Sequence, residues 1–239
     1  MRAKTSSNPT HRLRDELLTR QVAIALDILR DGGVVCIPTD TLYGLAAMAM
    51  HDEAVERLFK IKRRPLNQPL PLLLSDATDM SRFASKVPDI ARHLSQRFFP
   101  GALTLVLPKA NGVSALVSGG LRTVAMRVPD HWVPRAIARG LGSPITGTSA
   151  NLNGKTGLTT AEMVRAEIGS DVDLVIDGGP SSAGVASTVL DVSRDPPVII
   201  RQGAVSQRQI EEACGCKVVM RISEREQPTT SMTLGEQQH

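Results

Sequence analysis

The chain has 239 residues, 41% of them hydrophobic, ample for one large buried core or two smaller ones. A net charge of +4, from 28 Lys and Arg against 24 Asp and Glu, permits an acidic ligand without demanding one; one Trp, one Tyr and four Phe are too few for base-stacking platforms. Residues 1–20 are polar, no apolar run approaches the roughly 20 residues of a membrane span, and three cysteines cannot all pair internally, so a cytoplasmic chain with reduced thiols and no structural metal is expected.

Leu18, Val22, Ala25, Leu26 and Leu29 recur at helical spacing, and Gly32-Gly33 ends that helix. Residues 34–37 then read as a buried strand stopping at Pro38. The next helix, Asp52–Lys62, puts Ala54, Val55, Leu58 and Phe59 on one apolar face. Lys62, four residues after Leu58 and three after Phe59, continues that stripe. A lysine there needs a partner, unless its stem snorkels to water. Arg64 precedes Pro65, which biases it out of the helix, so its guanidinium can turn the same way as the Lys62 ammonium and form an anion site. Arg57, Lys60 and Arg63 read as the solvated side of the same cationic run.

Further strands are expected at 70–74, 103–107, 124–128, 145–148, 174–176, 188–192 and 198–200. Pro88 opens a helix with Ile90, Leu94 and Phe98 on one face, and another helix near 132–139 stops at Gly140. Thr159-x-x-Glu162 reads as a capping box for a helix closed by Gly169, and Ser206-x-x-Gln209 opens the last helix. The alternation predicts one α/β domain over 13–222, between a flexible N-terminus at 1–12 and a disordered polar tail at 223–239. The sense of strand pairing stays open, although an Asp-Pro-Pro turn links the strands at 188 and 198.

Two motifs nearly match known catalytic loops. Gly147-Thr148-Ser149-Ala150-Asn151 differs by one residue from the G-x-S-x-G nucleophile elbow, but the only histidine after Ser149 is His239, in the polar tail, which argues against a triad in elbow order. Residues 149–156, S-A-N-L-N-G-K-T, lack only the first glycine of a P-loop. Gly157 and the Thr159 box start the next helix too late for its amides to face a phosphate, so Lys155 reads as a loop lysine. What survives is a small polar loop at 147–151 directly after an apolar strand, where α/β folds place ligands. Similar loops follow other strands, at Pro38-Thr39-Asp40-Thr41, at Thr123 with Arg127, at 184–188 and at Arg201-Gln202-Gly203. Arg127 and Arg201 are costly to bury unpaired. Each serves a structural salt bridge or, with Lys62 and Arg64, supplies what a polyphosphate and a carboxylate need.

Pro38-Thr39-Asp40-Thr41-Leu42-Tyr43-Gly44-Leu45, Lys62-Arg63-Arg64-Pro65, Pro100-Gly101-Ala102-Leu103-Thr104-Leu105, Arg127-Val128-Pro129-Asp130-His131, Thr148-Ser149-Ala150-Asn151 and Ser187-Thr188-Val189 together resemble, in order and spacing, the YrdC-like threonylcarbamoyl-AMP synthases. The resemblance spans residues 20–205. It implies an α/β fold, an open twisted mixed sheet with flanking helices around a large concave cavity. It also implies a nucleotidyltransferase that makes threonylcarbamoyl-AMP and pyrophosphate from L-threonine, bicarbonate and ATP; other enzymes then transfer the threonylcarbamoyl group to an adenosine beside the tRNA anticodon.

By the same resemblance Lys62 and Arg64 are a K-x-R pair with the catalytic role, and Ser149 and Asn151 an S-x-N pair. ATP is expected against Lys62, Arg64, Gln68, Thr123, Ser149, Asn151, Gly157 and Arg201. Threonine is expected against Thr41, Arg127, Gly147 and Ser187, with Arg127 facing its carboxylate. Magnesium is expected through the ATP phosphates, without a protein-held metal site, and contact with tRNA or double-stranded RNA is allowed. Arg63 and Gln68 depart from the residues frequent at those positions in the family, and only a helix and a short tail follow Ser206, as in single-domain relatives. Two other readings stay open: a paralogue acting on another carbamoyl-adenylate, as among hydrogenase-maturation relatives, and a non-catalytic RNA-binding module.

Overall fold

In the computed structural model, which describes residues 9–221, the first helix, α1 (Pro9–Arg30), starts well before its apolar spacing predicts. Residues 9–12, expected to be flexible, lie inside it; its leading turns are rich in Arg, Leu and Glu, which propagate a helix at little cost. Residues 1–8 and the polar tail at 223–239 lie outside the described residues. The chain continues through β1 (Val35–Ile37), β2 (Gly44–Ala46), α2 (Asp52–Lys62), β3 (Leu72–Leu73), α3 (Met80–Phe83), α4 (Asp89–Phe98), β4 (Leu103–Pro108), α5 (Ala115–Ser118) and β5 (Thr123–Arg127). The second half adds α6 (Trp132–Leu141), β6 (Ile145–Thr146), β7 (Thr148–Ser149), α7 (Ala161–Ile168), β8 (Leu174–Val175), β9 (Thr188–Asp191), β10 (Val198–Arg201), α8 (Gln207–Cys214) and β11 (Val219–Met220).

The strands form two mixed sheets, β7-β2-β1-β8 and β11-β10-β9-β4-β5-β3-β6. The mixed α/β class is as expected; its division into two sheets follows from residue 147. The single strand expected at 145–148 splits there, β6 pairing with β3 and β7 with β2. Gly147 donates its N–H to Pro71 O (2.8 Å), and a Cβ on it would meet Leu73 Cγ and Cδ2 at 2.6 Å. Only glycine allows the chain to cross so close to β3. The Asp-Pro-Pro link joins β9 and β10 as an antiparallel pair, while β4 and β9, far apart in sequence, pair in parallel.

Two apolar layers flank the sheets. The larger joins Leu58 and Phe59 of α2 and Leu94 of α4 to Leu103, Leu105, Met126 and Leu190 of the large sheet. The smaller packs Leu18, Val22 and Leu29 of α1 and Val133 and Ile137 of α6 onto Val35, Ile37 and Ile145. Each such side chain contributes about 1.5–3 kcal/mol by leaving water. Gly140 does not end α6, which runs to a left-handed Gly142; a Cβ at 140 would meet Leu26 of α1 at 2.9 Å, so that glycine serves the α1–α6 contact. Helix α7 is capped by Thr160, one residue beyond the predicted Thr159, and the Ser206–Gln209 capping box forms as predicted.

Candidate active site

A cavity of about 780 Å³ lies over one face of the large sheet, within the range of small-molecule sites. The face obeys the two-residue period of a strand. Thr104 and Val106 of β4, Thr123, Ala125 and Arg127 of β5, and Ser187, Val189 and Asp191 along β9 point into it. Of the residues expected to bind substrates, Thr41, Arg64, Thr123, Arg127, Gly147, Ser149, Ser187 and Arg201 line the cavity; Lys62, Gln68, Asn151 and Gly157 do not.

Lys62 is the main departure. It is 2% exposed, and its Nζ donates to the carbonyl oxygens of Ser149 (2.5 Å) and Asn151 (2.6 Å). The partner its buried position demands is therefore backbone, and the lysine clamps the polar loop from beneath. Asn153 returns an N–H to the Lys62 carbonyl (3.0 Å). Burial, then the neighbouring Arg64, bring the Lys62 ammonium down to about 8, while two carbonyl acceptors favour its charged form. The expected convergence of Lys62 and Arg64 is thus electrostatic, not a shared surface. Arg63 ends α2 in the left-handed conformation, φ 51°, and the chain beyond sends Arg64 into the cavity wall.

Asn151 is buried beside the cavity. Its amide nitrogen donates to the Leu152 (2.8 Å) and Lys155 (2.6 Å) carbonyls, and its Oδ1 is buried without a partner. Gly157 supports the lining indirectly: a Cβ there would lie 2.4 Å from Leu42 Cδ1, and Leu42 lines the cavity. Gln68 presents its carbonyl to the Arg64 side chain (3.5 Å).

Arg127 is paired structurally and also lines the cavity. Its Nε donates to Gly101 O (2.8 Å), Nη1 to Thr41 Oγ1 (2.8 Å) and Nη2 to Asp40 Oδ1 (2.5 Å), so it is paired structurally while still facing the cavity. Arg201 donates to the carbonyl (2.9 Å) and hydroxyl (3.3 Å) oxygens of Ser187, whose hydroxyl also meets Thr104 Oγ1 (2.9 Å). Arg64, Arg201 and Arg127 form a row. Burial lowers each from its usual range, Arg201 lowers Arg64 further, and Arg127 lowers Arg201. Such a row of partly desolvated cations attracts an anion strongly.

Arg122, Arg194 and Arg221 also line the cavity and were missed, as was Asp191, which pairs with Arg194 (2.8 Å). The two-residue alternation along β9 could have found Asp191; nothing local marks the arginines. Tyr43 lines the cavity too, but its hydroxyl donates to Gly179 O (2.8 Å) and burial pushes it up to about 12, so it stays protonated. Among the described residues no group of three or more His, Cys, Asp and Glu side chains is placed to hold a metal, and no helix is long and apolar enough to cross a membrane.

The sequence model of the Sua5/YciO/YrdC family, described as "Telomere recombination", matches residues 27–203. Threonylcarbamoyl-AMP synthase of Bacillus subtilis is 42% identical over 204 residues, covering 84% of this chain and 59% of the relative. A putative threonylcarbamoyl-AMP synthase of Mycobacterium tuberculosis is 33% identical over 200 residues, covering 84% and 92%. The crystal structure of P. abyssi Sua5 complexed with L-threonine superposes with a TM-score of 0.81 at 38% identity, covering 84% of this chain and 58% of that one. The chain therefore spans about three-fifths of the Bacillus and P. abyssi proteins, and nearly all of the mycobacterial one.

Proposed function

The chain belongs to the Sua5/YciO/YrdC family, and from that premise we propose that it is an L-threonylcarbamoyladenylate synthase, using L-threonine, bicarbonate and ATP and releasing pyrophosphate. The observation that carries this reading is the joining of two kinds of subsite in one cavity. A hydroxyl-rich end formed by Thr41, Ser187 and the Arg127 guanidinium suits a small hydroxy amino acid, and Arg64, Arg201, Thr123 and Ser149 beside it suit a nucleotide's phosphates.

The threonine carboxylate faces Arg127, whose N–H groups are oriented by Asp40, Thr41 and Gly101. Gly147 leaves room for its backbone. The threonine amine, once deprotonated, adds to the carbon of CO₂ or bicarbonate to give a carbamate, with water as the second product in the bicarbonate case. A carbamate oxygen then attacks the α-phosphorus of ATP, and the bond to the β-phosphate oxygen breaks, releasing pyrophosphate. Arg64 and Arg201 offset the charge that builds on the departing phosphates, where fixed cations help most. Lys62 acts one layer away, by fixing Ser149 and its loop.

Magnesium enters as MgATP, held by the phosphates rather than by a protein cage. The proposed setting is the cytoplasm, upstream of the enzymes that move the threonylcarbamoyl group to tRNA. Contact with tRNA or double-stranded RNA would use the arginines at the cavity rim. Pyrophosphate release from MgATP, with L-threonine and bicarbonate omitted in turn, tests the reading. Release that needs both supports it. Release indifferent to threonine points to a paralogue with another carbamoyl-adenylate, and salt-dependent RNA binding without turnover points to a binding module.

A further inference from the structure

At the C-terminal end of α8, outside the cavity, the sulfur atoms of Cys214 and Cys216 lie 3.2 Å apart. Residues two apart on a continuing helix face different sides. Here Gly215 closes the helix in the left-handed conformation, φ 68°, and that reversal brings the two side chains together. Cys216 is exposed and Cys214 half-buried, whereas Cys36 is buried in the core. The substrate cavity uses neither of the paired thiols.

We propose that Cys214 and Cys216 form a reversible dithiol site, oxidised to an intrachain disulfide by low-molecular-weight disulfides such as oxidised glutathione. The Cys216 thiolate attacks one sulfur of the oxidant, forming a mixed disulfide and expelling one thiolate. The Cys214 thiolate then attacks the Cys216 sulfur, forming the intrachain bond and expelling the second thiolate. Two protein thiols are oxidised and one small disulfide is reduced, and the protons lost by the cysteines balance those taken up by the two leaving thiolates.

Closure requires the sulfurs to approach by about 1.2 Å, to a bond of about 2.05 Å. Burial, the Cys214 sulfur and then the carboxylates of Asp195 and Glu211 push the Cys216 thiol up to about 11. Exchange that begins at Cys216 is therefore slow at neutral pH and faster as pH rises.

The test is incubation of the full chain with oxidised glutathione, acid quenching, alkylation and peptide mass spectrometry. The parent should lose two hydrogens, yield a linked Cys214–Cys216 peptide and retain no glutathione. Cys214→Ser and Cys216→Ser, checked by circular dichroism to be folded, should each retain one glutathione on the remaining thiol, with Cys36 free throughout. Phenylarsine oxide, which needs two adjacent thiols, should bind the parent and neither variant. Glutathione retained on the parent, or both parent thiols still open to alkylation under conditions that modify the variants, would overturn the proposal. Variants that also stay unmodified would overturn it as well, since neither thiol would then be reactive.

Discussion

The ammonium of Lys62 donates to the carbonyl oxygen of Asn151 at 2.6 Å from beneath the cavity. This contact divides the K-x-R and S-x-N residues into a supporting pair, Lys62 and Asn151, and a lining pair, Arg64 and Ser149. The lining pair depends on the supporting one for its position, because Lys62 also holds the Ser149 carbonyl.

Lys62→Met keeps most of the buried volume and removes the clamp. The two carbonyls lose a charged donor, at a cost of about 1–3 kcal/mol for each group left unsatisfied, while the desolvation of an ammonium is relieved. These effects oppose each other, so thermal stability should stay near that of the parent. Turnover should fall at least about a hundredfold, as for loss of a group that aligns charge stabilisation. A fully active Lys62→Met protein would remove the lysine from the mechanism.

The same lysine sets a pH dependence with two opposite signs. Its folded value of about 8 lies below the 10.5 of an unperturbed lysine. Between those values the folded chain binds fewer protons than the unfolded one, so this group raises folding stability as pH climbs from about 8 toward 10.5. Turnover should move the other way, falling as pH rises through about 8, because a neutral amine holds the loop less strongly. Melting temperature and turnover, each followed against pH in the parent and in Lys62→Met, separate the two; an identical alkaline limb in the variant would assign it to another group.

Asp40→Asn should be costly because it leaves the Arg127 guanidinium, with a side chain only 7% exposed, without its carboxylate. Breaking one side of a buried ion pair commonly costs about 3–5 kcal/mol. Denaturant unfolding should report a loss of that order, accompanied by a raised KM for threonine and a smaller change in that for ATP. Unchanged stability would mean that Thr41 and Gly101 suffice to hold Arg127.

Gly157→Ala should act through Leu42. The new methyl would meet Leu42 Cδ1 at 2.4 Å, and overpacking of this kind typically costs about 1–3 kcal/mol. Displacing Leu42 into the cavity should raise substrate KM values more than it lowers kcat. Reducing the side chain with Leu42→Ala in the same protein should restore part of the binding, and the absence of any rescue would separate Gly157 from the lining.

Much of this arrangement was legible in the sequence, for physical reasons that differ from place to place. Helix α2 is legible to its observed ends because its apolar stripe is regular and Arg63-Arg64-Pro65 halts it. Strands β2 and β11 are not legible, since Gly44-Leu45-Ala46 carries no β-branched or aromatic residue to mark it and Val219-Met220 is an exposed pair at the sheet edge. Arg127 and Arg201 are legible as polarity in costly places, and Arg64 through the Pro65 that biases it out of the helix. The aim of Lys62 is not, because an apolar stripe gives the face a side chain occupies but not which loop carbonyls, far along the chain, lie opposite it. Arg122, Arg194 and Arg221 sit in loops or at strand ends, where charged residues are ordinary and only the tertiary fold turns them toward a cavity.

The proposed reaction joins a threonine-derived carbamate to AMP within one cavity. The most direct measurement supplies isotopically labelled bicarbonate with L-threonine and MgATP and identifies the adenylate product by mass spectrometry. The expected product is a threonine- and protein-dependent adenylate carrying the label in its carbamoyl carbon, formed in step with pyrophosphate and lost in Arg64→Ala. An adenylate of threonine itself without the labelled carbon, or label incorporated equally when threonine is absent, would contradict it.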